Sequence, residues 1–268
     1  METIVKTITH TEEDKKIYEQ AGKILRDGGL VAFPTETVYG LGADALNPEA
    51  AKKIYSAKGR PSDNPLIVHI ADFADIKKIV EEVPDSARIL ADKFWPGPLT
   101  MILKKSAAVP DTTSGGLNTV AIRMPSNKIA LELIKASGGY IAAPSANTSG
   151  KPSPTMAEHV ASDLDGRIDM LIDGGEVGIG LESTIVDLTV DRPVILRPGA
   201  ITQQMLSDVI GEVLIDEALI KADSTVRPKA PGMKYKHYAP KAQITIIEGN
   251  KESVVKYINE EISKKLQE

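Results

Sequence analysis

The chain contains no cysteine and only four histidines among its 268 residues. The absence of cysteine excludes disulfide bonds, thiol nucleophiles and cysteine-ligated zinc or iron–sulfur centres, so covalent catalysis by sulfur is excluded as well. The histidines stand at positions 10, 69, 159 and 237, and no two of them have the i, i+4 spacing of a helical zinc site. We therefore expect no dedicated transition-metal site.

Long apolar runs are also missing, since no stretch approaches the roughly 18 apolar residues that a membrane span requires. The N-terminus has neither the apolar run nor the cleavage site of a signal peptide, which predicts a cytoplasmic protein. Positive charge is not in excess, and the formal net charge of −5 argues against a protein that coats nucleic acid. A local basic patch of Lys52, Lys53, Lys58 and Arg60 could still hold a small polyanion.

Helix and strand signals alternate along most of the chain. A first helix begins near Thr11 and ends at Gly28, and Asn47 and Pro48 supply the cap and first-turn proline of a second helix that ends at Gly59. Further helical patterns lie at 85–94, 126–137, 155–162 and 202–210, and apolar runs typical of strands lie at 30–33, 66–70, 99–103, 120–123, 140–143, 169–172, 183–188 and 194–197. This alternation predicts an α/β protein.

The last two strand runs lie too close together for a crossover helix, so we expect that pair to be antiparallel and the sheet to be mixed. A regular doubly wound sheet is therefore disfavoured. The proline-containing stretch after the last helix indicates a linker or surface loop, and the tail predicts one strand at 244–248 and one helix. We expect a main domain at 1–211, a linker at 212–241 and a short C-terminal segment at 242–268, which is too small to stand alone.

The common nucleotide-binding signatures are absent from the sequence. A P-loop around Gly150 and Lys151 would need a glycine five residues earlier and a hydroxyl residue next, but those positions hold Ser145 and Pro152. The glycines at 174–180 lack the spacing of a dinucleotide-binding loop and favour a tight turn. Neither a Walker motif nor a dinucleotide-binding fold is expected.

Two polar segments carry groups that suit a ligand. PTETVYGLGADA, at 34–45, follows a strand with hydroxyls, a carboxylate and glycines, and it predicts a ligand-binding loop, with a capped turn as the plain alternative. In KGRPSDNP, at 58–65, extended geometry would turn alternate side chains to one side as a row that could grip phosphate oxygens. That row would consist of Lys58, Arg60, Ser62 and Asn64, and a solvated basic loop is the alternative.

A third polar segment, APSANTSGKPSPT at 143–155, follows a strand, and its small side chains leave room for a ligand. Ser145 and Asn147 again stand at alternate positions within it. Arg123 and Arg197 each end an apolar strand run, where a guanidinium must find an anionic partner or reach water. Surface placement is the plain alternative for both arginines.

In chain order, PTETVYGLG, KGRPSDNPL, WPGPLT, VAIRMP, APSANTSG, ESTIVDL and ILRPG closely resemble the threonylcarbamoyl-AMP synthase family, which is built on the YrdC-like domain. Each motif is weak alone, but the ordered set is highly specific and spans about residues 15–205. APGMKYKHYAP resembles the linker of the family's two-domain form, and residues 242–268 would then begin its Rossmann-like C-terminal domain. The resemblance implies a twisted mixed sheet around a large cationic cavity that binds ATP, L-threonine and bicarbonate.

The resemblance also implies roles for particular residues. Lys58 and Arg60 match the family's K-x-R pair, and together with Arg123 they are expected to neutralise charge during catalysis. Positions matching the threonine site are Thr37, His69, Arg123, Ala143 and Ser183. Positions matching the ATP site, which include the S-x-N pair, are Arg60, Asn64, Thr119, Ser145, Asn147, Ser153 and Arg197. Tyr235, preferred to Tyr238, is expected to close over the nucleotide as part of a lid formed by residues 231–240.

The implied reaction needs no covalent enzyme intermediate. Threonine's amine adds to bicarbonate, and the resulting carbamate attacks the α-phosphate of ATP and expels pyrophosphate. Such a substitution depends on positioning and charge neutralisation, so cations and Mg²⁺ matter more than a nucleophile. The product would serve a downstream tRNA-modifying transferase complex that forms N6-threonylcarbamoyladenosine.

Two other functions compete with this one. A non-catalytic RNA- or nucleotide-binding module would bind tRNA directly, with a strong dependence on salt and no ATP consumption, and the acidic net charge opposes it. A carbamoyltransferase on a related domain would need additional zinc-binding or acylphosphatase-like modules, which we do not find in this cysteine-free sequence.

Overall fold

A computed structural model describes residues 2–216 and 245–265 of the chain. The strands are β1 (Ile4–Thr7), β2 (Val31–Pro34), β3 (Tyr39–Asp44), β4 (Ile67–His69), β5 (Leu99–Lys104), β6 (Thr119–Arg123), β7 (Ile141–Ala143), β8 (Met170–Asp173), β9 (Thr184–Asp187), β10 (Val194–Arg197) and β11 (Leu214–Ile215). The helices are α1 (Asp14–Arg26), α2 (Pro48–Lys58), α3 (Ile76–Ile79), α4 (Asp85–Phe94), α5 (Asp111–Ser114), α6 (Lys128–Ala136), α7 (Ala157–Leu164), α8 (Gln203–Ile210) and α9 (Lys251–Lys265), with a short 3₁₀ helix at Phe73–Asp75.

The described strands form one mixed sheet in the order β1-β8-β2-β3-β7-β4-β6-β5-β9-β10-β11. The sheet contains parallel pairs, such as β4 with β6 and β5 with β9, and antiparallel pairs, such as β2 with β3 and β5 with β6. The predicted antiparallel pairing of β9 with β10 is confirmed. The α/β class and the mixed sheet are therefore confirmed.

The predicted helix ends are confirmed where the capping chemistry is strong. The Asn47 side chain accepts hydrogen bonds from the backbone N–H groups of Glu49 and Ala50, and Pro48 occupies the first turn of α2. Gly59 ends the helix with a φ of 62°, a left-handed conformation that glycine adopts without strain. This reversal at Gly59 sends the chain away from the helix axis immediately after Lys58.

The side chains of the sheet divide between its two faces. Ala32 packs on one face with α2, α4, α7 and α8, whereas its neighbours Val31 and Phe33 pack on the other with α1 and α6. A smaller cluster on β4, β5, β6, β9 and β10 includes Ile67, and no described helix contributes to it. The candidate site lies beside this smaller cluster.

Three features of the fold differ from the sequence-based predictions. Half of the segment predicted as a loop at 34–45 is strand β3, and a Cβ on Gly42 would lie 2.8 Å from Ile141 Cγ2, so glycine is required by close packing rather than by a turn. The prediction of a strand at 244–248 was wrong for residues 245–248, the part of that range that the structure describes, because they form no strand. Strand β1, which the patterns did not reveal, consists of four exposed residues and pairs with β8 at the sheet edge.

In the two described stretches, no helix is both long and apolar enough to cross a membrane.

Candidate active site

The end of α2 and the loop after β7 meet directly. The Lys58 ammonium donates hydrogen bonds to the carbonyl oxygens of Ser145 and Asn147, and Asn147 Oδ1 lies 3.3 Å from Lys58 Nζ. The Ser149 N–H donates to the Lys58 carbonyl at 2.9 Å. We refer to residues 145–149 as the SAN loop. The two segments that carry the K-x-R and S-x-N pairs therefore share one side of the molecule.

Lys58 is buried and points away from solvent, with 1% of its surface exposed. Burial lowers the pKa of its ammonium well below the ordinary value, and the positive charge of Arg60 lowers it further. The three N–H donors of an ammonium match the three oxygens of the SAN loop. Lys58 therefore uses its donors to hold this loop.

Asp163, near the end of α7, holds the SAN loop from a second direction. Its carboxylate accepts from the Thr148 N–H at 2.9 Å and pairs with Lys151 Nζ at 2.6 Å. Both the Lys151 and Thr148 contacts, together with the nearby charge of Lys58, lower the pKa of Asp163 against the opposing effect of burial. The loop is thus pinned by charged groups from α2 and α7.

A cleft opens beside the SAN loop. It is lined by three arginines from different elements, and it also contains His69. The lining residues are Thr35, Thr37, Val38, Gly40, Arg60, Ile67, His69, Arg123, Ala143, Pro144, Ser145, Glu182, Ser183 and Arg197. Such a concentration of guanidinium groups suits an anionic ligand.

The turn between β2 and β3 holds one of these arginines. Arg123 Nη1 donates to Thr37 Oγ1 at 2.9 Å, and Arg123 Nη2 forms an ion pair with Glu36 Oε1 at 2.7 Å. The guanidinium is 5% exposed, and burial lowers its pKa although the charge of Glu36 opposes that effect. The turn is itself fixed, because the backbone oxygens of Glu36 and Thr37 accept from Ile179 and Gly180.

His69 lies next to Arg123 in a fully buried position. Its Nδ1 is 3.1 Å from the Ile67 carbonyl, which can only accept, so Nδ1 carries the proton and Nε2 is an acceptor. Burial, together with the charge of Arg123, lowers the pKa of His69 to about 3. The imidazole is therefore neutral at physiological pH.

The far wall of the cleft is built from β9 and β10. Arg197 donates to the Ser183 carbonyl from Nε and to Ser183 Oγ from Nη2, each at 3.0 Å. Ser183 Oγ is also 2.7 Å from Thr100 Oγ1. Ser153 donates a hydrogen bond to the carboxylate of Glu182. This wall presents hydroxyls, a guanidinium and a carboxylate to the same space.

The structure brings many of the predicted site residues into this cleft. Those lining it are Thr37, Arg60, His69, Arg123, Ala143, Ser145, Ser183 and Arg197. Lys58 contacts Asn147 within the SAN loop, but neither residue lines the cleft, and Ser153 contacts the lining residue Glu182. Thr119 stands at the opposite end of β6 from Arg123, about 13 Å away at the rise of a strand. Tyr235 and the predicted lid at 231–240 lie outside the described residues.

The predicted one-sided row at 58–64 was wrong. Lys58 is the last residue of α2, and the left-handed Gly59 breaks the extended geometry that the row requires. Ser62 is exposed, whereas Arg60 and Asn64 are buried. Arg60 instead folds back, and its Nη2 donates to the Pro65 carbonyl at 3.1 Å.

Sequence reasoning did not single out Glu36 or Glu182. Glu36 is the one charged residue between Leu30 and Ala43, in a stretch that is otherwise largely buried. A carboxylate inside such a run needs a charged or hydrogen-bonding partner, which is the signal that could have identified it.

Comparisons with known proteins agree on one family. The Sua5, YciO and YrdC family model, described as "Telomere recombination", matches residues 23–199, and a "Threonylcarbamoyl-AMP synthase, C-terminal domain" model matches residues 201–268. The threonylcarbamoyl-AMP synthase of Pyrococcus abyssi is 53% identical over 98% of this chain and 76% of its own length. That of Bacillus subtilis is 55% identical over 90% of this chain and 69% of its own length.

A solved structure supports the same assignment. The crystal structure of P. abyssi Sua5 complexed with L-threonine has a TM-score of 0.92 and 50% identity, covering 100% of this chain and 77% of that one. This chain belongs to the threonylcarbamoyl-AMP synthase family.

Proposed function

We propose that this protein condenses L-threonine, bicarbonate and ATP into threonylcarbamoyl-AMP and pyrophosphate. The observation that carries the proposal is the junction of Lys58 with the SAN loop, because it places Arg60 and Ser145 in a cleft that also contains Arg123. The names of the relatives and the threonine complex of P. abyssi Sua5 support the same substrates. The enzyme would be a nucleotidyltransferase, since it transfers AMP to a carbamate oxygen.

The reaction follows from two balanced steps. The threonine amine attacks the carbon of bicarbonate, water leaves, and an N-carboxylate results. A carbamate oxygen then attacks the α-phosphorus of ATP, and pyrophosphate departs as the phosphoanhydride bond breaks. Both steps concentrate negative charge, so fixed guanidinium groups in a cleft favour them without a covalent intermediate.

We assign the amino acid to the part of the cleft around the β2–β3 turn. Arg123 would bind its carboxylate, and the neutral His69 offers Nε2 as an acceptor for its hydroxyl or amine. The full set proposed for threonine is Thr37, His69, Arg123, Ala143 and Ser183. We assign ATP to Arg60, Asn64, Thr119, Ser145, Asn147, Ser153 and Arg197, with Tyr235 above it.

The role of Lys58 differs from that of the arginines. Its ammonium is occupied by oxygens of the SAN loop, so we propose that it shapes the nucleotide site by fixing Ser145. Arg60 and Arg123, which line the cleft, would neutralise the charge that develops on the reacting groups.

Mg²⁺ is proposed to enter with ATP. Within the described residues no cluster of three or more histidine, aspartate and glutamate side chains could hold a metal ion alone. Mg²⁺ usually retains several waters and needs only one or two carboxylates beside the phosphates, and Glu182 supplies one at the cleft wall. The ion would neutralise charge on the phosphate oxygens.

We further propose where the product is used. A downstream tRNA-modifying transferase complex would take the threonylcarbamoyl group to form N6-threonylcarbamoyladenosine, in the cytoplasm. Residues 1–211 would form the catalytic domain, residues 212–241 would connect it to the C-terminal segment, and residues 242–268 would belong to a C-terminal unit. A separate family model matches the C-terminal part of the chain, which is in keeping with this division.

Pyrophosphate release tests the function. We expect turnover with ATP, L-threonine and bicarbonate together, and background release when threonine or bicarbonate is omitted. Arg60→Ala should lower turnover about a hundredfold, because one well-placed cation contributes roughly 3 kcal/mol to such a transition state. Pyrophosphate release that continues unchanged when threonine or bicarbonate is omitted would refute the proposed reaction. Near-normal turnover of Arg60→Ala would show that Arg60 takes no part in it.

A further inference from the structure

Unsatisfied buried polar atoms concentrate at one point in the described part of the chain. Six buried side-chain atoms there lack a hydrogen-bond partner, and four of them belong to Glu36 and Arg123. They are both carboxylate oxygens of Glu36 and the Nε and Nη2 atoms of Arg123. Folded proteins rarely leave such atoms without partners, so this cluster requires an explanation.

The contact between Glu36 and Arg123 does not explain these unpaired atoms. Glu36 Oε1 and Arg123 Nη2 are 2.7 Å apart and form an ion pair, which engages only one atom of each residue and leaves Glu36 Oε2 and Arg123 Nε without a partner. The pair thus cancels charge while it leaves hydrogen-bonding capacity unused on both partners. A ligand that meets this capacity must offer an acceptor to the guanidinium and tolerate a carboxylate nearby.

The balance of charge around Glu36 and Arg123, which we call the Glu36–Arg123 corner, also differs from that in the rest of the cleft. Arg123 has a buried counter-ion in Glu36, and Glu182 is the one carboxylate among the described residues that line the cleft. His69, the other titratable group beside Arg123, is neutral because burial lowers its pKa to about 3. The Glu36–Arg123 corner is therefore close to neutral overall.

We propose that Glu36 is a specificity-determining residue that makes this corner prefer a zwitterionic amino acid to an anionic carboxylate of the same shape. This inference rests on the proposed function and deepens it. The negative charge of Glu36 favours a substrate ammonium in the neighbouring space, and it prevents Arg123 from acting as a general anion trap. The residue needs only proximity for this effect, because charges interact strongly in a buried site.

The fold is suited to such a role because the backbone at Glu36 is held in place. It lies between Thr35 and Thr37, and the Thr35 hydroxyl accepts hydrogen bonds from the backbone N–H groups of Thr37 and Val38. Contacts from the backbone of Ile179 and Gly180 fix the same turn from outside. These contacts fix the backbone of the β2–β3 turn, and the ion pair with Arg123 holds the Glu36 carboxylate beside the guanidinium.

Binding measurements on two ligands test the proposal. L-Threonine is compared with (R)-3-hydroxybutanoate, which keeps the carboxylate and hydroxyl but has no amine, by calorimetry on the full chain without ATP. We expect Glu36→Gln to lower the preference for threonine over the analogue by about tenfold, as the corner gains a net positive charge. Glu36→Asp, which retains the charge, should keep most of the preference.

The controls separate selectivity from folding. Glu49→Gln makes the same chemical change on the exposed surface of α2, where the Glu49 side chain is 71% exposed, and should leave the preference unchanged. If Glu36→Gln does not fold, Glu36→Ala replaces it, because the smaller side chain admits water to solvate Arg123, and the same loss is expected.

Two results would overturn the inference. If the Glu36 variant weakens both ligands by the same factor, Glu36 serves the fold alone and does not select the ligand. If Glu36→Asp loses as much preference as Glu36→Gln, charge is not the cause. Failure of the wild-type chain to bind threonine or release pyrophosphate would instead defeat the proposed function, and it is detected before any variant is compared.

Discussion

Lys58 and Arg123 are both buried cations near the cleft, but their surroundings differ. Lys58 donates to neutral oxygens of the SAN loop, and these match its donors in number. Arg123 pairs with a carboxylate and a hydroxyl, yet two of its nitrogens lack hydrogen-bond partners. The comparison separates a cation whose bonding is complete within the protein from one that is prepared for a ligand.

The largest expected effect would come from breaking the Lys58 junction. Lys58→Met keeps the length of the side chain but leaves the Ser145 and Asn147 carbonyls without donors. We expect the free energy of unfolding to fall by about 3 kcal/mol, and pyrophosphate release to fall about a thousandfold, because the SAN loop loses its anchor. Urea denaturation and the pyrophosphate assay measure the two changes.

Lys52→Met is the matched control for that variant. Lys52 lies on the same helix with 57% of its side chain exposed, so its loss should change the free energy of unfolding by less than about 0.5 kcal/mol. If Lys58→Met retains full stability and loses activity, the ammonium acts on the nucleotide and the comparison with Arg123 fails.

The surroundings of Arg123 can be examined through pH, because His69 packs beside it. The folded chain binds a proton at His69 only near its pKa of about 3, whereas the unfolded chain binds one near the ordinary value of 6.5. As the pH falls below 6.5, the unfolded state therefore binds a proton before the folded state does. Between pH 6.5 and about 3 the free energy of unfolding falls by up to about 1.4 kcal/mol per pH unit, which is a tenfold change in the folding equilibrium constant. Denaturation of the wild type at a series of pH values measures this slope.

His69→Asn should remove this part of the acid sensitivity. His159→Asn is the control, because the His159 side chain on α7 is 50% exposed and lies outside the cleft lining. An unchanged slope in His69→Asn would mean that His69 is not the buried neutral group described beside Arg123.

The smallest expected effect concerns the second anchor of the SAN loop. Asp163→Asn can still accept from the Thr148 N–H but loses its charge opposite Lys151. We expect the KM for ATP to rise about fivefold with little change in kcat, since one charge-assisted contact is weakened rather than lost. Asp165→Asn, on an exposed neighbour, should not change the KM. A fall in kcat with an unchanged KM would place Asp163 outside ATP binding.

Local signals explain which parts of the fold could be predicted. Asn47, Pro48 and Gly59 carry capping chemistry that acts within a few residues, so both ends of α2 are readable from the sequence. The apolar runs of β5, β6 and β9 are likewise local. Strand β3 was missed because its glycines have low strand propensity, and they are needed only where Ile141 and Phe33 approach. The strand predicted at 244–248 is not formed at the described residues 245–248, because an apolar run without a pairing partner is not a stable strand.

The candidate site shows the same division between local and distant causes. The motifs identified Arg60, Ser145 and Arg123 as residues worth attention, and the cleft contains all of them. The function of Lys58 could not be read in this way, because its partners are 87 and 89 positions away along the chain. Glu36 was missed for the same reason, since its significance depends on Arg123 in a distant strand.

The α/β class, the ends of α2, the absence of thiol chemistry and the family resemblance follow from composition, short-range capping and ordered motifs, all of which are visible in the sequence. Which buried cation faces the cleft and which one holds a loop is visible only in the folded chain. The difference between the two cations depends on the direction that side chains take after Gly59 and on the pairing of β4 with β6 and β7. Long-range packing alone determines that direction and that pairing.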